Sequence, residues 1–271
     1  MAATLKRGGL ISTSGVFVAI TLAVAAEDTA ARAGSPEKSA LAGPPAPLIQ
    51  KKFAGDVFDL DQFALQIPLD DDGDGGTDVV AMPLLRNFED PAFFHIDKPG
   101  EAIVFRTRCG DALMEGAAHP RCEMHELKEG TKEPASWSTR DGRIHRFSAT
   151  LAFTRLPEDG SPVTAVSVWG EGGEAFAMRH EMGKIVMSRT GMEPLLLEET
   201  YVAGRPLEWT ILVDKGRVRM SSGIDQIAEW PLEASGLQFR VGVFYESESP
   251  KSGDPESVAE VTVWKLYLVH Q

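Results

Sequence analysis

From His145 to Thr154 (HRFSATLAFT) the chain sets Phe147, Ala149, Leu151 and Phe153 on one side and mostly polar residues on the other. A period of two is the pattern of a half-buried β-strand. Comparable segments recur at Ala102–Arg106, Thr164–Trp169, Lys184–Arg189, Trp209–Val213, Arg217–Ser221, Phe239–Tyr245 and Ala259–Val269. Asp141-Gly142, Asp159-Gly160 and Lys215-Gly216 read as turns between them. No long stretch carries helical periodicity. Many short strands in roughly 220 residues predict an all-β fold, a β-sandwich or jelly roll.

The 271 residues carry a formal net charge of −13 and contain no Lys/Arg block. No nucleic-acid partner is expected, because binding phosphates needs a basic face. An anionic sugar is not excluded, since a few arginines in one groove outweigh the average charge locally.

At the N-terminus Lys6 and Arg7 precede a short apolar run, Gly15–Ala26 (GVFVAITLAVAA), which contains Ala23-Val24-Ala25, an A-x-A cleavage pattern. The run is shorter than the ~20 residues a membrane-spanning helix needs. Residues 1–26 therefore read as a signal peptide, with a retained anchor as the alternative. Residues 27–52, rich in Ala, Pro, Ser and Gly, read as a flexible linker. Residues 53–271 form the expected folded domain, secreted or periplasmic, monomeric and off the membrane once the leader is cleaved.

Two further features bear on cofactors. Cys109 and Cys122 either pair across neighbouring strands in an oxidising compartment or stay apart. A zinc site from these two and His125 lacks a second closely spaced ligand pair. Asp70, Asp72, Asp74 and Gly75 match the first half of a calcium loop, but Ala81 stands where a bidentate Glu is needed. An acidic, solvated turn is the preferred reading, and no cofactor is expected.

Four segments then occur in a distinctive order: Phe58–Pro68 (FDLDQFALQIP), Pro120–Glu126 (PRCEMHE), Trp137 followed by His145–Pro157, and Phe239–Glu246 (FRVGVFYE). Together they resemble the alginate-lyase family of polysaccharide lyases, with its R-S/T-E-L-R-E strand and its F-K-A-G-x-Y-N-Q strand. The resemblance implies a jelly roll with a sugar-binding groove on its concave sheet, an acidic polysaccharide as partner, and cleavage by β-elimination. In that reaction a cation neutralises the uronate carboxylate, a base removes the C5 proton, and an acid protonates the leaving oxygen.

Carried over by position, Arg121 is the neutralising arginine and Glu123 its neighbour. The rest departs from the family pattern. His125 replaces a second arginine, and Arg240 replaces a lysine. Ser167 and Trp169 occupy the Gln and His positions of the family's Q-I/V-H strand, and Phe244 occupies that of its catalytic tyrosine. Alternation puts Arg121, Glu123 and His125 on one strand face, with Cys122 and Met124 on the other.

One reading is a lyase with a rearranged site, in which Arg121 neutralises, His125 is the base and Tyr245, turned into the groove by a β-bulge, is the acid. Glu123, Ser167, Trp169, Arg240, Phe244 and Glu246 would then contact substrate. A second is a carbohydrate-binding relative without catalysis, in which Trp169 stacks on a sugar ring. A third is a hydrolase using Glu123 and Glu246 as its carboxylate pair.

Overall fold

In the computed structural model, described for residues 53–71, 73, 76–114, 116–246 and 254–271, alternating segments pair into two antiparallel sheets. Along the chain come β1 (Phe63–Gln66), β2 (Val79–Ala81), β3 (Phe94–Ile96), β4 (Ile103–Arg108) and β5 (Arg121–Glu126). The long β6 (His145–Arg155) leads into β7 (Val163–Gly170), β8 (Gly173–Glu181), β9 (Lys184–Arg189) and β10 (Met192–Glu198). The last five are β11 (Leu207–Asp214), β12 (Arg217–Ser222), β13 (Asp225–Pro231), β14 (Gln238–Tyr245) and β15 (Val258–His270). Helix is confined to two short 3-10 turns, Ala54–Asp56 and Leu84–Asn87, among the described residues.

One sheet has eight strands in the order β10-β9-β8-β7-β14-β5-β1-β2, and the other seven in the order β13-β12-β11-β6-β15-β4-β3. Strands distant in sequence lie side by side, as the jelly-roll connectivity of a β-sandwich requires. The inward residues of both sheets form one apolar core. Phe147, Leu151 and Phe153 of β6 and Val261 and Val263 of β15 belong to it, together with Phe239, Val241 and Val243 of β14. The rings of Phe147 and Phe239 stack with centroids 5.3 Å apart, joining the two sheets.

A polar cluster lies at one end of this core. Trp137 stacks on His145 at 4.3 Å, and His145 Nδ1 lies 2.7 Å from His270 Nδ1. Glu126 accepts hydrogen bonds from Trp137 Nε1 at 2.9 Å and from the Phe239 backbone N–H at 2.8 Å. His270 Nε2 approaches Glu126 Oε1 to 2.8 Å, off the line of a hydrogen bond. Glu126 thus anchors β5 to β14 and to the Trp137 loop, which holds the outer face of β5 in register. The proposed leader and linker, and Asp72 and Asp74 of the acidic turn, lie outside the described residues.

Candidate active site

Alternation along β5 sends Cys122 and Met124 into the core and turns Arg121, Glu123 and His125 to the outer face of the eight-stranded sheet. β14 runs beside it with Arg240 opposite His125, Gly242 opposite Glu123 and Phe244 opposite Arg121. On the other side of β14, Ser167 of β7 pairs with Arg240 and Trp169 with Gln238. Seven of the residues singled out in the sequence therefore meet on one floor. The Arg121 guanidinium carbon lies 4.2 Å from the Phe244 ring centroid and 5.7 Å from that of Trp169. The Arg240 guanidinium carbon is 4.7 Å from the Trp169 ring. Trp169 Nε1 donates to Ser167 Oγ at 3.1 Å, which fixes the indole over both arginines.

Charge on this floor is unbalanced. Arg121 Nη1 and Arg240 Nη1 both donate to one oxygen, Glu123 Oε1, at 3.1 and 3.0 Å. Two guanidinium cations thus share a single carboxylate, although Arg121 and Glu123 are only 6% and 4% exposed. The Nε–H groups of Arg121 and Arg240 are buried and find no acceptor among the described residues. A buried donor without a partner costs ~1–3 kcal/mol, more for a charged group, and an incoming carboxylate would remove that cost.

Gly242 makes this arrangement fit. A Cβ there would lie 2.3 Å from the Cys122 carbonyl oxygen and 2.5 Å from Glu123 Cα, and its φ is +153°. Only glycine lets β14 approach β5 so closely beside the shared carboxylate.

His125 is half-buried on the same face. Burial, reinforced by the Arg240 cation and opposed by Glu123, holds its imidazole below the usual histidine range. It is therefore neutral at neutral pH, the form that accepts a proton.

Tyr245 does not join the floor, and its expected role as groove acid is corrected. A register shift does occur in β14 against β7, between Val241 and Phe244, but it leaves Tyr245 facing the core. The Tyr245 hydroxyl donates to Asp159 Oδ2 at 3.1 Å and accepts from the Ser257 hydroxyl at 3.0 Å, and burial pushes its pKa up to about 12. Tyr201 is in the core as well, and Tyr267 belongs to the other sheet.

Glu246 lies past the end of β14. It accepts from Thr164 Oγ1 at 2.6 Å and from Arg179 Nη1 at 3.1 Å. Glu123 and Glu246 are both committed to arginine donors, so neither is presented as the free acid a hydrolase pair requires.

Three residues of this region escaped the sequence reading. Arg179 on β8 bridges Glu246 and Glu174, the latter at 2.8 Å, and its Nε–H is also buried without an acceptor. Gln238, opposite Trp169, has a buried Oε1 with no donor among the described residues. His119, just before β5, packs its ring 5.8 Å from Phe244. The sequence signal for Arg179 was alternation along Gly173–Glu181. Gln238 shares the parity of Arg240, and His119 that of Arg121.

Among the described residues no three His, Cys, Asp or Glu side chains are grouped to hold a metal ion. The buried Cys109 and Cys122 are not joined by a disulfide. Cys122 Sγ instead donates to the Phe93 carbonyl at 3.3 Å, and burial raises its thiol well above the usual range.

The family model for alginate lyase matches residues 58–270, nearly the whole described domain. The chain belongs to the alginate lyase family. It is thus a member of the polysaccharide lyases, which break carbon–oxygen bonds. Among solved structures, the alginate lyase AlgAT5 from polysaccharide lyase family 7 is 25% identical. The match covers 81% of this chain and 99% of that one, with a TM-score of 0.75. The alginate lyase from Corynebacterium sp. is 19% identical over 82% of this chain and 100% of its own, with a TM-score of 0.76. That from Klebsiella pneumoniae is 16% identical over 80% and 98%, with a TM-score of 0.67. No curated protein sequence matches the chain significantly. In this alginate lyase family member, Arg121 and Glu123 of β5 share the floor with Trp169 and Phe244.

Proposed function

We propose that this chain is an exported polysaccharide lyase that cleaves a uronate-containing polysaccharide such as alginate by β-elimination. The observation that carries the reading is the Arg121–Glu123–Arg240 floor, with one buried and one half-buried cation, one carboxylate and two buried, unsatisfied Nε–H donors. A uronate carboxylate supplies the missing charge and the missing acceptors. Bound there, it loses part of its own negative charge, and the neighbouring C5–H becomes more acidic.

His125, neutral and cross-strand from Arg240, takes that proton. The C5–H electrons form the C4=C5 double bond as the C4–O bond breaks. With Tyr245 occupied in the core, the imidazolium of His125 returns the proton to the leaving oxygen, so one group serves as base and then acid. Trp169 and Phe244 give the sugar rings apolar faces. Export is supported by Lys6, Arg7 and the Ala23-Val24-Ala25 pattern.

Those same two aromatic residues favour, as a second reading, a binding protein that cuts nothing. Mass spectrometry of alginate and glucuronan oligosaccharides after incubation separates the possibilities. Elimination leaves a fragment with an unsaturated, dehydrated uronate end, hydrolysis leaves two saturated fragments, and a pure binder leaves the oligosaccharide whole. The proposal requires the first outcome and fails on either of the others.

A further inference from the structure

On the opposite side of the sandwich, the outer face of the seven-stranded sheet holds a depression of about 490 Å³ across β6, β11 and β15. Its floor is a pair of hydroxyls, Ser148 Oγ and Thr210 Oγ1, 2.9 Å apart. Tyr267, cross-strand from Ser148, stands beside them with 64% of its surface exposed. Most large aromatic side chains on this chain are buried, and a tyrosine left this open on a central strand needs a reason.

Cations flank the ring along the strand direction. Arg146 pairs with Val269, two residues beyond Tyr267, and Lys265 lies two residues before it. Both are exposed, and neither forms an ion pair among the described residues. Arg146 makes only a hydrogen bond from Nε to Ser148 Oγ at 3.3 Å. Two unpaired cations on either side of one ring, on a chain of net charge −13, mark a local field of opposite sign, tempered by one carboxylate, Glu208, in the same depression. From Lys265 to the Arg146 row is about 13 Å at two strand steps of two residues each.

A flat aromatic face between two cations, over a floor of hydroxyls, has the chemistry to hold a short run of acidic sugar. The ring stacks on a pyranose, the hydroxyls exchange hydrogen bonds with sugar hydroxyls, and the cations meet carboxylates.

We propose that this depression is a second, non-catalytic binding site for the acidic polysaccharide, remote from the Arg121 floor. The chemistry of the occupant rests on the reading of the chain as a protein that acts on uronate polymers. A polymer held on both faces gains by the effective concentration of the second contact, whereas an oligosaccharide too short to span them gains nothing.

The test is binding of alginate and glucuronan, each as long polymer and as short oligosaccharide, to the full chain by isothermal titration calorimetry. Tyr267→Ala and Lys265→Glu, both at exposed positions and away from the floor, should weaken binding of the long polymer roughly tenfold or more and leave short-oligosaccharide cleavage unchanged. Arg121→Ala should retain a weak polymer interaction that disappears in the Arg121→Ala/Tyr267→Ala double variant. If the Tyr267 and Lys265 variants bind long polymer like the wild type while Arg121→Ala abolishes all binding, the second site is wrong and the lyase reading stands. If the wild type binds neither polymer, the second site falls together with that reading. Circular dichroism of each variant identifies any loss that comes from misfolding.

Discussion

The guanidinium carbon of Arg121 lies 4.2 Å from the ring centroid of Phe244, and the two residues face each other across β5 and β14. A contact of this kind contributes ~0.5–2 kcal/mol when partly desolvated, and it aims the arginine along the floor toward Glu123. It also sets the Phe244 ring against the guanidinium that would hold a uronate. Phe244→Tyr adds one hydroxyl there and a second group able to move a proton. The variant should raise kcat on uronate polymers at least tenfold with little change in melting temperature. An unchanged kcat in a folded variant would place Phe244 away from the reacting sugar.

Glu123 is the single carboxylate between Arg121 and Arg240, with side-chain exposures of 5%, 7% and 16% for the three. Removing it leaves the buried Arg121 and the half-buried Arg240 facing one another. Glu123→Ala should lower unfolding free energy by ~3–5 kcal/mol in urea titration, the usual cost of breaking a buried pair from one side. A loss near that of a surface ion pair would mean that water reaches the floor freely.

Gly242 faces backbone and not a flexible side chain, since its added Cβ would meet the Cys122 carbonyl oxygen and Glu123 Cα. Gly242→Ala should therefore separate β14 from β5 locally. Arg240 would lose its hold on Glu123, and soluble yield and polymer binding should fall together. Normal binding by Gly242→Ala would show that the close approach of the two strands is dispensable.

His180 has both ring nitrogens buried without partners and packs against the rings of Phe153 and Tyr201. Burial holds its pKa below the usual 6.5. The unfolded chain therefore binds the proton more readily than the folded one. The stability contributed by neutral His180 is complete above about 6.5 and is lost as pH falls toward the lowered folded value. His180→Phe removes this dependence. Its urea midpoint should match or exceed that of the wild type at pH 5 and vary less between pH 7 and pH 5. A wild-type midpoint independent of pH in that window would contradict the burial argument.

The parts of the site legible in the sequence were those written along one strand. Alternation of Arg121, Cys122, Glu123, Met124 and His125 assigns each to a face, and the faces in the structure are the same. Contacts between strands were not legible, because pairing partners are far apart in sequence. Nothing in Gly173–Glu181 announces that Arg179 will reach Glu246, nor does Phe239–Glu246 alone reveal that Gly242 will sit against Glu123. Tyr245 was misplaced for a related reason. A shift in pairing between β14 and β7 was the condition for turning it outward, and the shift is present, yet the ladder to β5 continues through Val243 and Phe244 without a break. The core side offers the Tyr245 hydroxyl an acceptor, Asp159, and a donor, Ser257, neither of which belongs to the Phe239–Glu246 segment.

The central claim, that the Arg121 floor carries out β-elimination, is tested most directly by the ultraviolet absorbance of unsaturated uronate during incubation with alginate and with glucuronan. The wild type, Arg121→Ala and His125→Gln are compared at neutral pH. The wild type should give a steady rise on at least one polymer, and His125→Gln should lose roughly 10²–10⁴-fold in kcat with binding retained. Arg121→Ala should lose rate and most of its polymer binding together, keeping only the weak contact of the second site. A wild-type rise that survives His125→Gln would contradict the assignment of the base, and a flat wild-type trace on both polymers would contradict the claim itself.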